Sequence, residues 1–176
     1  LIAAQPSAVW DSLVSAEPVR EPPGLVAWAG LAYPISGQIA SPGPGAWRVG
    51  RFSTGLAHER ITDWRPGEAL AFEVLSQPAA MEEMSPYRRV HAPHVHGYFE
   101  TAETRFTLRP AGNGYTRLTV EADSVLRMDP VLYWQPLARW AVRQNLHRVL
   151  QDVRSKAKRK GQGIAAPAPA IHSVAG

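Results

Sequence analysis

Ala111-Gly-Asn-Gly114 is the reversal around which this chain is read. Residues 94–108 precede it and residues 115–126 follow it, both with the composition of strands. Gly and Asn tolerate the left-handed backbone of a tight turn, so the two runs read as one long antiparallel pair. Asp129-Pro130 comes next, the side chain of Asp129 suited to an N-cap and Pro130 to a first helical turn. Beyond it Ala138, Val142, Leu146, Val149, Val153 and Ala157 recur at helical spacing, which predicts a long amphipathic helix with that stripe laid on the sheet. Pro136 fits only the first turn or a kink, so the regular helix is expected to begin near Trp134.

Upstream, Pro6-Ser-Ala-Val-Trp-Asp-Ser-Leu-Val14 predicts a short helix with Pro6 at its first position and Val9, Trp10, Leu13 and Val14 on one face. Leu1-Ile-Ala-Ala4 reads as the end of a strand that starts earlier. Residues 17–45 hold eleven prolines and glycines, which leaves a loop with at most one helical turn and then a strand over 35–40. Residues 46–53, 56–64 and 69–75 read as a meander, with a turn at Arg65-Pro-Gly-Glu68 and Leu70, Phe72 and Val74 alternating with Ala71 and Glu73. Residues 76–93 form a long irregular insertion of the kind that covers a sheet as a lid. This order predicts an α+β fold, a sheet curled around a helix with a natural pocket between them.

A chain of 176 residues with 45% hydrophobic composition fits one domain, expected over residues 1–158 with a disordered tail over 159–176. The absence of cysteine removes disulfides, thiolate metal sites and a Cys nucleophile. No apolar run approaches the roughly 20 residues of a spanning helix, so the chain reads as cytoplasmic, with association to a membrane surface as the alternative. The net charge of +4 is concentrated late: Arg154, Lys156, Lys158, Arg159 and Lys160 carry five positive charges, while residues 1–153 hold 14 basic and 15 acidic groups. A near-neutral body argues against nucleic acid as a partner. The basic helix end complements the helix dipole, or contacts anionic lipid or a membrane-anchored neighbour.

Pro6-Ser-Ala-Val-Trp-Asp-Ser-Leu13 resembles the opening of the START-like superfamily of polyketide cyclases, dehydrases and lipid-transport proteins, the SRPBCC group with a helix-grip fold. Phe52-Ser-Thr-Gly55, Glu59-Arg-Ile-Thr-Asp-Trp64, Pro66-Gly-Glu-Ala-Leu-Ala-Phe72, Arg105-Phe-Thr-Leu108 and Gly114-Tyr-Thr-Arg-Leu118 resemble its sheet. The resemblance, closest to bacterial members of unassigned function, covers about residues 1–158. It implies a curved antiparallel sheet of about seven strands wrapped around the long C-terminal helix, with an apolar cavity between them. It implies no single reaction, since this fold hosts carriers, receptors, cyclases and hydrolases.

Candidate site residues come from three places. In an extended strand His94, His96, Tyr98 and Glu100 share one face, where they could serve a metal, acid–base chemistry or a wet outer surface. Without a fixed second-shell partner for the imidazoles, neither a metal nor a cofactor is expected. Arg48 and Glu59, on adjacent strands, read either as a buried pair that could hold a ligand carboxylate or as a solvent-face pair. Asn145 lies beside the apolar stripe of the long helix, where an amide needs a partner. Six tryptophans with Met81 and Met84 could supply an aromatic lining or ordinary packing. There is no phosphate loop, dinucleotide fingerprint or serine elbow. The reading is therefore a module that binds a hydrophobic or amphipathic small molecule, lipid or polyketide-like, between sheet and helix. The alternatives are a cyclase or hydratase using His96 or Glu100 as acid or base with Arg48 polarising an oxygen, and a regulatory or interaction domain of a membrane-associated protein.

Overall fold

The computed structural model describes residues 1–82, 98–127 and 129–163. Helix α1 spans Pro6–Leu13, with Pro6 at its start as expected, and α2 is the single turn Leu25–Trp28 inside the Pro/Gly-rich loop. Strands β1 (Pro34–Ile39), β2 (Trp47–Phe52), β3 (Gly55–Arg65), β4 (Ala69–Ser76), β5 (Phe99–Pro110) and β6 (Thr116–Leu126) follow, then α3 (Val131–Gly163). Asn113 takes the left-handed conformation in the turn between β5 and β6 (φ 49°), as the Gly-Asn-Gly step demanded.

The sheet is an antiparallel meander in the order β1-β2-β3-β4-β5-β6. Among the described residues it has six strands where about seven were expected. The position beside β6 is held by one isolated bridge, Ile2 to Thr116, with N–H···O bonds of 2.8 and 2.9 Å. Thr116 Oγ1 adds a bond to the Ala4 carbonyl at 2.7 Å. Just beyond, the Ala4 N–H turns back to the Ile2 carbonyl (3.0 Å), and Pro6 has no N–H with which to extend a ladder.

Register irregularities curl the sheet, one of them at Ile35 in β1. The pairing skips Thr62 in β3, Leu75 in β4 and Ala102 in β5, and an extra residue on one strand bends it and reverses the phase of its side chains. The inward set of β3 is thus Ala57, Glu59 and Ile61, and then Trp64, while Asp63 turns outward to bond Arg65 and Arg105 at 2.9 and 3.0 Å.

Helix α3, roughly 50 Å long at about 1.5 Å per residue, begins at Val131 and not near Trp134. Pro136 therefore stands in its second turn, where the carbonyl without an intrahelical donor is that of Leu132. Leu132 is 86% exposed, which places this end of the helix in water, where that carbonyl can be satisfied. The helix runs five residues past the expected boundary at 158, and residues 164–176 lie outside the described residues. Among the described residues no helix is long and apolar enough to cross a membrane.

One end of the sheet–helix interface is solid. Ile61, Leu70, Phe106 and Leu108 from the sheet meet Val153 and Ala157 from α3 and Val9 and Trp10 from α1. Trp10 packs edge-on against Trp64 with ring centroids 5.0 Å apart, a geometry that adds about 0.5–1.5 kcal/mol to the burial itself.

A polar row on α3 straps the loop of residues 17–34 to this core. Asp152 accepts a bond from the Arg20 N–H (2.9 Å) and pairs with Lys156 (2.7 Å), which also donates to the Glu17 carbonyl (2.9 Å). Arg148 donates to the carbonyls of Glu21 (2.6 Å) and Pro34 (2.5 Å). Arg148, Asp152 and Lys156 are all buried. Removing such charges from water is tolerable only because Asp152 and Lys156 pair with each other and all three are hydrogen-bonded to the loop. Burial pushes the Arg148 guanidinium below its usual range, against the opposing pull of Asp152.

Candidate functional site

At the other end the sheet and α3 stand apart around a cavity of about 310 Å³. Side-chain size explains the space. The helix presents Ala138, Ala141 and Val142, the sheet Ala57 and Ala122, and residues 78–80 supply Pro78, Ala79 and Ala80. Small side chains on facing surfaces leave a void unless another element fills it. Phe72 and Phe106, 6.3 Å apart, make part of the sheet wall, and Trp134 and Leu137 lie toward the start of α3.

Arg48 and Glu59 line this cavity and are the only charged side chains among the described residues that do so. They are opposite one another in the β2–β3 register, and Arg48 Nη1 donates to Glu59 Oε2. Glu59 is 3% exposed. Its burial pushes the carboxyl above the usual range, and the charge and hydrogen bond of Arg48 pull it back only in part. The guanidinium lies 4.2 Å from the Phe72 ring centroid, a cation–π contact.

Two glycines make room for the pair. A Cβ on Gly37 would stand 2.9 Å from Arg48 Cζ, and one on Gly50 would stand 3.2 Å from Glu59 Oε1. Any side chain at either position would press on the charged groups.

Asn145 lies in the opposite wall. Its amide donates to the Ala32 carbonyl (2.9 Å), tying α3 to the segment that contributes Leu31 and Ala32 to the cavity. Its Oδ1 is buried with no partner among the described residues, a cost of about 1–3 kcal/mol for an acceptor removed from water. His147, two residues further along the helix, is exposed and contacts Gln151 at 3.2 Å.

Tyr98 and Glu100 are not in the cavity wall. Phe99 and Thr101 point inward, so Glu100 points out, where it pairs with the exposed Arg127 at 2.6 Å. The extra residue Ala102 then reverses the phase, so that Thr104 and Phe106 face inward. Tyr98 is held through its carbonyl by the Arg127 N–H (2.7 Å). His94, His96 and Met84 lie outside the described residues, as does most of the expected lid. Among the described residues no three His, Asp or Glu side chains converge. Of the tryptophans only Trp134 lines the cavity, while Trp10 is core and Trp28 is 81% exposed.

Gln77 was not singled out by its sequence context. Its amide donates to the Phe99 carbonyl (2.5 Å) and accepts from the Thr101 N–H (2.9 Å). It thereby mimics a strand pairing and joins the end of β4 to the start of β5 at the cavity wall. A glutamine after an apolar strand carries no local sign of this use.

No protein family's sequence profile matches the chain, and no curated protein matches it. Solved structures do. The chain is similar to protein MLL2253 from Mesorhizobium loti, at 14% identity and a TM-score of 0.51 over 90% of this chain and 93% of that one. It is also similar to protein CV1439 from Chromobacterium violaceum, at 15% identity and a TM-score of 0.44 over 88% and 92% of the two chains. The solution structure of the Aha1 dimer from Colwellia psychrerythraea matches at 18% identity and a TM-score of 0.41, over 80% and 83%. The likeness to MLL2253 is one of fold, a curled antiparallel sheet with a C-terminal helix. It is compatible with a helix grip.

Proposed function

We propose that this chain is a START-like helix-grip module that takes a hydrophobic or amphipathic small molecule between its sheet and α3. The observation that carries the reading is the cavity itself, at the small end of the roughly 300–1,000 Å³ of ligand pockets. It is walled mainly by apolar groups, with a single ion pair at its sheet face. A wall with few fixed polar groups and much apolar surface suits recognition by shape and desolvation, with orientation set at one point.

Native mass spectrometry of gently purified protein, with analysis of its organic extract, tests this reading. A stoichiometric small-molecule adduct is expected, along with uptake of the neutral fluorophore N-phenyl-1-naphthylamine by ligand-free protein. Ala141→Leu, which places extra carbons in the cavity, is expected to weaken the fluorophore by about tenfold or more, equivalent to 1.4 kcal/mol. A bare protein mass together with no fluorophore uptake would overturn the reading.

A cyclase or hydratase reading is favoured by one observation, the buried Glu59 carboxyl with its raised pKa beside a guanidinium. These are the groups an acid–base step at the cavity would use. Conversion of the co-purifying molecule by wild type but not by Glu59→Gln would select it. A membrane-surface partner has less behind it. Of the five late basic residues, Lys156 is buried in its ion pair and the exposed Lys160 donates to the Asp11 carbonyl (3.1 Å), which leaves Arg154, Lys158 and Arg159 as the exposed ones without such a contact among the described residues.

A further inference from the structure

We infer that the cavity selects a neutral hydrophobe bearing a hydroxyl or ketone oxygen over ions of either sign, an inference that rests on the cavity-binding reading above. Arg48 and Glu59 neutralise each other. A carboxylate that took Arg48 would leave Glu59, 3% exposed, as a buried anion without a partner. An ammonium that took Glu59 would strand the guanidinium over Phe72. Either exchange replaces one satisfied buried charge pair by an unsatisfied group.

Two amides in the wall are already engaged. Gln77 is bonded at both ends of its amide, and the Asn145 N–H is held by Ala32. A guanidinium carries five N–H donors, whereas the one acceptor of Arg48 among the described residues is Glu59. A neutral oxygen can therefore accept a bond from Arg48 without disturbing the pair.

The test is displacement of N-phenyl-1-naphthylamine at pH 8 by decan-1-ol, decan-2-one, decanoate and decylammonium, with wild type and Glu59→Gln. In wild type the alcohol and the ketone are expected to bind about tenfold or more tighter than either ion, the scale of one charged group left unpaired. Any greasy pocket disfavours ions, so the discriminating result is the variant. With Glu59 uncharged, Arg48 is available to an anion, and the decanoate-to-decanol affinity ratio is expected to rise about tenfold. An unchanged ratio in folded Glu59→Gln overturns the inference while leaving the cavity reading intact. So does a wild-type protein that binds either ion as tightly as the alcohol, a result that needs no variant to fold. Failure of all four compounds to displace the fluorophore removes the ligand class, even where fluorophore uptake keeps the cavity reading. Absence of fluorophore uptake together with a bare protein mass removes both.

Discussion

The two ends of the sheet–helix interface use the same strands and the same helix, yet one is solid and the other hollow. At the solid end α1 brings Val9 and Trp10 against Ile61, Leu70 and Val153. At the hollow end α3 faces the sheet with Ala138, Ala141 and Val142, and among the described residues no bulky group occupies the space between. Both ends are mainly apolar, apart from the Arg48–Glu59 pair and the amides in the cavity wall. The difference is therefore one of volume, which means that a binding cavity can be made by withholding side-chain atoms and not by adding polar ones.

The largest expected effect lies in the strap behind the solid end. Lys156→Met leaves the Asp152 carboxylate buried opposite a thioether, and a loss of about 3–5 kcal/mol is expected, measured by urea unfolding. A loss below about 1 kcal/mol, the value of an exposed pair, would mean that the loop is not held by this pair.

Next comes a direct contrast of the two ends. Leu70→Ala is expected to cost about 2–5 kcal/mol, because it opens a void in a filled core. Val142→Ala is expected to cost less than about 1 kcal/mol, because its side chain already borders open space. Equal losses in paired denaturation curves would break the comparison.

The smallest effect concerns pH. Burial raises the Glu59 carboxyl in the folded protein above its unfolded value, so the folded state binds the proton more tightly. The contribution of Glu59 is fully present below the unfolded pKa and is lost as pH rises through the folded one. In that weakly acidic window wild type is expected to lose stability with rising pH through this group, and Glu59→Gln to flatten the slope. Parallel stability–pH curves for the two proteins would show that the carboxyl is not perturbed.

Much of the fold was legible because its signals are local. The Gly-Asn-Gly reversal, the Pro6 helix start, the single turn within the Pro/Gly loop and the apolar stripe of α3 each depend on neighbours a few residues away. Arg48 and Glu59 could be nominated together because adjacent strands bring such residues opposite one another. Asn145 stood out as an amide on a greasy face. Glu100 shows where local reading stops: alternation placed it on a common face with other polar residues, but which face looked inward could not be read from the strand alone. The Ala102 bulge then changed the phase midway.

The row Arg148, Asp152 and Lys156 is a second case. Four-residue spacing of opposite charges is what an ordinary solvated helix face shows, and only the loop folded over it makes the row interior. From sequence alone came the order of elements, the antiparallel meander, the long helix with its apolar stripe and the near-neutral body, since these follow from backbone preferences and periodicity within short windows. The tertiary structure alone decided that the end of the stripe, Val153 and Ala157, would meet a filled core and the rest an open cavity, that Arg48 and Glu59 would face that cavity, and that a charged row would be buried. Those outcomes depend on volumes, register shifts and contacts between residues a hundred or more positions apart, which no local pattern encodes.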